Sequence, residues 1–208
     1  MIAHVPPDDI YLSSVTALLS MTAENETPSP MQLIYALKYG GRYKVGYALG
    51  KALGVEIERF QRQSPESPAA LPRYDAIVPV PLHASRERER GYNQALWIAQ
   101  GIAEIIQTPV EASWIRRSKP TISQTTLNAE ARVANVRDVF APTRHILTNR
   151  VSTPSPISTS VSVSVSVKNA SVLVVDDVFT TGSTLNACAH TLLELGARRV
   201  DAAVALAA

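Results

Sequence analysis

The sequence predicts an α/β fold, with a central parallel sheet of about five strands flanked by helices. Three observations predict it. Near the C-terminus, the apolar run Ser171–Val175 leads into a polar turn. A helical pattern over Thr184–Leu195 follows, stopped by Gly196, and a last apolar run covers Val200–Leu206. Strand, loop, helix, strand is the repeating unit of a parallel sheet. Earlier, the compact apolar strand Ala76–Val80 is followed by a helix from Asn93 to Ile106, which places Ala95, Ile98, Ala99, Ile102 and Ile106 on one face. Finally, hydrophobic residues make up 46% of the 208 positions and charged residues 18%. That is below the usual charged share of about 25%, and the chain is long enough for one domain with a sizeable core.

In chain order, residues 1–11 are rich in proline and aspartate without periodicity and read as an irregular N-terminal arm. The domain proper covers 12–208. Val15–Met21 is a short apolar run, either a strand or a helical turn. Ser29-Pro30 combines a capping residue with proline at the first helical position. Met31, Ile34, Tyr35 and Leu37 then outline a short helix that ends near Gly40-Gly41. A second helix is expected from about Tyr43 to Leu53. Residues 61–73, rich in Pro, Ser, Gln and Ala, read as a loop. Trp114-Ile115 suggests a further strand. The polar, basic stretch from Arg116 to Arg137 reads as a mobile excursion. Residues 150–168 form a low-complexity insertion of Ser, Thr, Pro and repeated Val-Ser. Its alternation is compatible with a strand, but nothing around it bounds a hairpin, and it is read as a linker.

The chemistry concentrates in thirteen residues, Val172 to Thr184: Val-Leu-Val-Val-Asp-Asp-Val-Phe-Thr-Thr-Gly-Ser-Thr. A hydrophobic strand ends in two adjacent acids, Asp176 and Asp177. Ligands of open parallel sheets bind beyond the carboxyl ends of the strands. The turn that follows carries hydroxyls at Thr180, Thr181, Ser183 and Thr184, with Gly182 allowing close backbone approach. A helix then begins, and its free N–H groups and dipole make a seat for phosphate. The carboxylates suit sugar hydroxyls or a hydrated Mg²⁺. A ligand with a phosphate at one end and a diol nearby fits this arrangement. A P-loop is excluded by the missing Gly-Lys-Ser/Thr ending. A receiver domain is not expected, because the 31 residues that follow Asp177 are few for such a module.

A second cluster stands upstream. Val78-Pro79-Val80-Pro81-Leu82-His83 is followed by Arg86, Arg88, Arg90, Gly91, Tyr92, Asn93 and Gln94. Arginines grip phosphate oxygens bidentately, so several of them after a strand end suit a pyrophosphate.

Taken together these residues carry a resemblance. Val172–Thr184 resembles the phosphoribosyl-pyrophosphate (PRPP) signature of type I phosphoribosyltransferases at all thirteen positions. The run from Val78 to Gln94 resembles the ComF family, as do Ala36-Leu37-Lys38-Tyr39-Gly40-Gly41 and Gln124, Leu127, Arg132 and Asn135-Val136. The matches span roughly residues 30–140 and 170–208. The resemblance implies a type I phosphoribosyltransferase fold with a small hood from the N-terminal segment and a flexible loop containing Gln124 and Arg132. It implies that Asp176 and Asp177 contact the ribose hydroxyls and, indirectly, Mg²⁺. Thr180, Thr181, Gly182, Ser183 and Thr184 would bind the 5-phosphate, and Arg86, Arg90, Lys38 and His83 the pyrophosphate. Related proteins often begin with a four-cysteine zinc module. Cys188 is the one cysteine here, so no zinc is expected. Purine-type enzymes carry Asp at the place of Thr180, which turns the expectation away from purine salvage.

The resemblance also implies a role in natural competence and DNA uptake. Three readings follow: a phosphoribosyltransferase, a non-catalytic single-stranded DNA-binding protein, or a PRPP sensor. For DNA, the candidate contacts are Arg86–Arg90, Arg116, Arg117, Lys119, Arg132 and Arg137, with Tyr92 and Trp114 for stacking. Competence machinery is a candidate partner, and the fold is compatible with a homodimer.

Some residues keep two readings. Lys38 either reaches a phosphate or complements a helix dipole. His83 is either a site residue or a loop or core histidine. Cys188, among Leu185, Ala187 and Ala189, reads as packing. The net charge of +2 does not itself point to nucleic acid. A lone cysteine, no signal-peptide pattern at the N-terminus and no long apolar run lead to the expectation of a cytoplasmic protein without a membrane span.

Overall fold

Two apolar nine-residue strands, Ser171–Phe179 and Arg199–Ala207, lie side by side at the centre of the sheet. The computed structural model describes residues 2–3, 11–20, 30–39, 41–63, 71–118, 139–143 and 166–207. In chain order the elements are β1 (Ile2–Ala3), β2 (Val15–Ser20), α1 (Pro30–Tyr39), α2 (Tyr43–Gln61), β3 (Ala76–Pro79), α3 (Ala84–Arg90), α4 (Gln94–Ile106), β4 (Ile115–Arg117), β5 (Phe140–Pro142), β6 (Ser171–Phe179), α5 (Ser183–Glu194) and β7 (Arg199–Ala207).

Among the described residues the main sheet has five strands in the order β1-β2-β7-β6-β3. The pairs β2·β7, β7·β6 and β6·β3 are parallel, and β1 joins β2 antiparallel. The arm expected to be irregular at 1–11 therefore contains a short strand, Ile2–Ala3. Strands β6 and β7 are near-continuous apolar runs because both faces of the sheet are covered. Side chains alternate between those faces. Val172 and Val174 join one core with Leu185, Cys188, Leu192, Trp114 and Phe140. Leu173 and Val175 join the other with Leu37, Leu53, Ile57, Ile98 and Ile102. One face thus carries α5 and the small antiparallel sheet β4·β5, and the other carries α1, α2 and α4. The N-terminal segment expected as a hood supplies α1 and α2 to that helical layer.

Helices α2 and α4 touch backbone to backbone. A Cβ placed on Gly50 would lie 2.1 Å from the Ile98 carbonyl oxygen, and one on Gly101 would lie 2.2 Å from that of Tyr47. Gly46, Gly50 and Gly54, four residues apart, form the side of α2 that faces α4.

Several boundaries differ from the expectation. Helix α2 continues past Leu53 to Gln61 because Ile57 and Phe60 extend its buried stripe. Strand β6 does not stop at the acids. It runs through Asp176 and Asp177 to Phe179, because β7 beside it continues to Ala207 and pairs Val204 with Asp176 and Leu206 with Val178. The arginine-rich segment after β3 is helix α3, capped by His83 at its start and by Gly91 in the left-handed conformation (φ 79°) at its end. The basic excursion expected from Arg116 begins as strand: Arg116 pairs with Ala141 and Arg117 with Phe140. Gln124, Arg132, most of that excursion and the insertion at 150–165 lie outside the described residues. Among the described residues no helix is long and apolar enough to cross a membrane.

Candidate functional site

A cleft of about 280 Å³ opens at the carboxyl end of the sheet. Two neighbouring strands supply its opposite halves. Beyond β3 come Leu82, His83, Ser85, Arg86 and Arg90, then Asn93 and Gln94 at the start of α4. From β6 come Asp176 and Asp177, with Thr184 in the first turn of α5. Lys38 reaches in from α1 and Arg117 from β4. The two halves are joined where the Val80 N–H donates to the Val175 carbonyl at 2.8 Å.

The half after β3 is held by Asn93. Its Oδ1 accepts from the Ala95 N–H at 3.0 Å and caps α4, while its Nδ2 donates to the Val80 carbonyl at 3.0 Å. Both ends of the amide are spent on fixing the helix start to the strand end. His83 caps α3: its Nδ1 accepts from the Ser85 N–H at 3.3 Å and lies 2.7 Å from the Ser85 hydroxyl. The structure thus gives His83 a capping role within the cleft wall. Arg90 donates to Gln94 Oε1 at 3.2 Å and lies over the Tyr39 ring, 5.7 Å from its centroid. Tyr92 donates its hydroxyl to the Leu37 carbonyl, which holds the chain just before Lys38.

Because β6 continues through both acids, their side chains leave the sheet on opposite faces. Asp177 follows Leu173 and Val175 toward α1, where Lys38 Nζ lies 3.2 Å from its Oδ2. Asp176 follows Val172 and Val174 toward the side of α5 and β4. Burial, and then the charge of Asp177, push the Asp176 carboxyl up to about 7. The Asp177 N–H, which donates to Asp176 Oδ1 at 2.8 Å, opposes this, as do Lys38 and Arg117. Burial draws the Arg117 guanidinium below its ordinary value, an effect that nearby Asp176 offsets in part.

The turn after β6 is built on Gly182, the N-cap of α5, with φ 75°. A Cβ there would sit 2.8 Å from the Phe179 ring, so both backbone conformation and space require glycine. With glycine at this position no side chain closes the helix start from the N-cap. Thr181 Oγ1 accepts from the Ser183 N–H at 3.4 Å and donates to the Ser183 hydroxyl at 3.1 Å. Thr184 lines the cleft, and Thr180, Thr181, Gly182 and Ser183 form the turn that leads to it.

Of the residues expected from the sequence, Lys38, His83, Arg86, Arg90, Asp176, Asp177 and Thr184 share this one cleft. Sequence reasoning missed Ser85 as a lining residue, and it gave neither Gln94 nor Arg117 a place in the cleft. Arg117 was read as part of a mobile stretch, and only its pairing with Phe140, more than twenty residues on, reveals it. Trp114, offered as a stacking residue, is 4% exposed and belongs to the core. Tyr92 is committed to Leu37 and packs edge-on to Tyr43. Trp114 therefore presents no free face for a base.

Residues 123–208 match the phosphoribosyl transferase domain. The chain is 29% identical over 181 residues to the DNA utilization protein YhgH of Salmonella typhi, covering 87% of this chain and 68% of that one. It is 30% identical over 169 residues to competence protein F of Haemophilus influenzae, covering 81% of this chain and 64% of that one. Among solved structures, a glutamine PRPP amidotransferase from B. subtilis, complexed with ADP and GMP, aligns at 20% identity with a TM-score of 0.41. The alignment covers 77% of this chain and 26% of that one. The parallel sheet with helices on both faces and the domain match agree: the chain is a protein of the type I phosphoribosyltransferase fold, similar to the DNA utilization protein and competence protein F named above.

Proposed function

We propose that the cleft binds PRPP, and that the protein does so in a pathway that takes up or uses DNA. The observation that carries the first part is the meeting, in one cleft, of two carboxylates, Thr184 in the first turn of a helix and a wall of cations. In this reading the ribose hydroxyls donate to Asp176 and Asp177. The 5-phosphate sits at Thr180, Thr181, Gly182, Ser183 and Thr184, where helix N–H groups and hydroxyls suit an oxyanion. The diphosphate lies against Arg86 and Arg90, with Lys38 and Arg117 adding charge and His83 holding the wall.

The donor set fits Mg²⁺ in one way. Among the described residues no three His, Cys, Asp or Glu side chains gather as a metal cage. Two adjacent carboxylates beside a phosphate ligand are what a hydrated Mg²⁺ uses, since it takes one or two carboxylates and completes its shell with water and phosphate oxygens. When bound, the ion would neutralise diphosphate charge. The chain's own residues would orient the sugar and hold the diphosphate. In a transfer reaction, Arg86 and Arg90 would stabilise the charge that gathers on the departing diphosphate.

Titration calorimetry with PRPP and Mg²⁺ tests the reading. Saturable binding that disappears in the double variant Asp176→Asn, Asp177→Asn supports it, and no binding by the wild-type protein removes it.

A second reading, single-stranded DNA binding on the same fold, is supported by the relatives' names and by the exposed arginines Arg86 and Arg88 on α3 and Arg116 on β4. Phosphate contacts would make such binding weaken steeply with salt. Competition between PRPP and an oligonucleotide separates one shared site from two. The proposed setting is the cytoplasm.

A further inference from the structure

Gln94 is 2% exposed, lines the cleft, and has an amide nitrogen with no hydrogen-bond partner among the described residues. Its amide cannot simply be turned around. Arg90 donates to the Gln94 oxygen at 3.2 Å, and a guanidinium only donates, so the oxygen must face Arg90 and the NH₂ group must be the idle end. Buried polar groups in folded proteins are nearly always paired, so an idle buried NH₂ beside a cleft calls for an acceptor. The neighbouring amide makes the contrast. Asn93 spends both ends on the protein, whereas Gln94 spends one. Arg90 carries a second idle donor, its buried Nε–H. Gln94 is also the first residue of the thirteen-residue helix α4, where the dipole favours negative charge.

We infer that Gln94 is a ligand-contacting residue: its NH₂ group donates to an oxygen of a phosphate or diphosphate group, while its carbonyl holds Arg90 in place to grip the same group. An acceptor-only, anionic partner satisfies the idle donors and the surrounding guanidinium charge together. A sugar hydroxyl or neutral base would satisfy the donors but leave that charge unmet. The inference rests on the PRPP reading only in identifying the anion with the diphosphate end of that ligand.

The test uses the full chain, with inorganic pyrophosphate and ribose 5-phosphate as separate probes in titration calorimetry. Gln94→Met keeps the length of the side chain and removes the donor. It is expected to weaken pyrophosphate binding about tenfold or more, as loss of a hydrogen bond to a charged group does, and to leave ribose 5-phosphate within about twofold. Gln94→Glu, which places an acceptor and a negative charge at the same point, is expected to weaken pyrophosphate further. Equal pyrophosphate affinity in wild type and Gln94→Met overturns the inference. So does an equal loss for both probes, which would mark a structural role, and so does a wild type that binds no pyrophosphate. A wild type that binds pyrophosphate through Gln94 but no ribose 5-phosphate leaves the inference standing and defeats the PRPP reading instead. Should Gln94→Met not fold, the side-chain NH₂ resonances of Gln94 in the wild-type protein decide. A shift on adding pyrophosphate supports the contact, and unchanged resonances overturn it.

Discussion

Lys38 Nζ lies 3.2 Å from Asp177 Oδ2, so the last turn of α1 is ionically tied to the end of β6. The pair sits at the cleft wall, with the lysine side chain 26% and the aspartate side chain 13% exposed. Lys38 also lowers the pKa of Asp176 on the other face of the strand. Replacing Lys38 with Met leaves two adjacent carboxylates with one fewer cation. The Asp176 titration midpoint is expected to move above its value of about 7, as followed by carboxyl-carbon NMR. An unchanged midpoint would show that the lysine does not reach the pair in solution.

The raised Asp176 pKa makes stability depend on pH. The ordinary value is 3.8 and the folded value about 7. Between these the folded state holds more protons than the unfolded one, so this group's contribution to stability falls as pH rises from about 4 to about 7. Asp176→Asn removes the charge that burial penalises. The variant is expected to melt higher than wild type at pH 8, by something on the order of 5 °C, and to lose that advantage at pH 4. Parallel melting curves for the two proteins across this range would contradict the assignment.

The contact between α2 and α4 has no room for a methyl group. Gly50→Ala puts a Cβ 2.1 Å from a backbone oxygen that cannot rotate away. A loss of about 3 kcal/mol or more in denaturant unfolding is expected. Gly41 is the control. It has φ 61° but nothing within 4 Å of an added Cβ, so Gly41→Ala is expected to cost about 1 kcal/mol, from backbone conformation alone.

Gly182→Ala should separate binding from folding. The substitution strains a left-handed residue and pushes on the Phe179 ring at the edge of the fold. Expected are a stability loss of about 1–2 kcal/mol and a disproportionate loss of ribose 5-phosphate affinity, about tenfold or more, measured by calorimetry beside the melting curve. Affinity that survives intact would place the phosphate elsewhere.

Cys188 is completely buried, and burial raises its thiol well above the ordinary range. The native protein is therefore expected to resist alkylation by iodoacetamide at neutral pH and to label at one site only after denaturation.

The sequence made strands and helices legible where a continuous apolar run or a helical period stood out. β6, α4 and β7 are of that kind, and so is the acidic pair with its hydroxyl turn. What it hid were consequences of neighbours. Strand β6 runs on through Asp176 and Asp177 because β7 is there to pair with it, and that continuation sends the two acids to opposite faces. The polar run at 84–90 carries no apolar stripe, so its helix was invisible, although His83 and Gly91 are ordinary caps at its two ends. Arg117 could not be found without its cross-strand partner Phe140. Gln94 carried a signal of a kind, an amide at the first position of a buried helix face beside an arginine four residues earlier. Only the burial of its nitrogen turns that into an observation.

The hydrogen bond from the Val80 N–H to the Val175 carbonyl makes the sheet a ruler. The acids and the arginine helix hang from adjacent strands, and adjacent strands stand about 4.8 Å apart in every sheet. The span between the acid pair and the arginine helix is thus calibrated by backbone geometry and cannot drift with side-chain substitutions. Selection among ligands of different length would then fall to whatever reaches in from outside the ruler: Lys38 from α1 and Arg117 from β4.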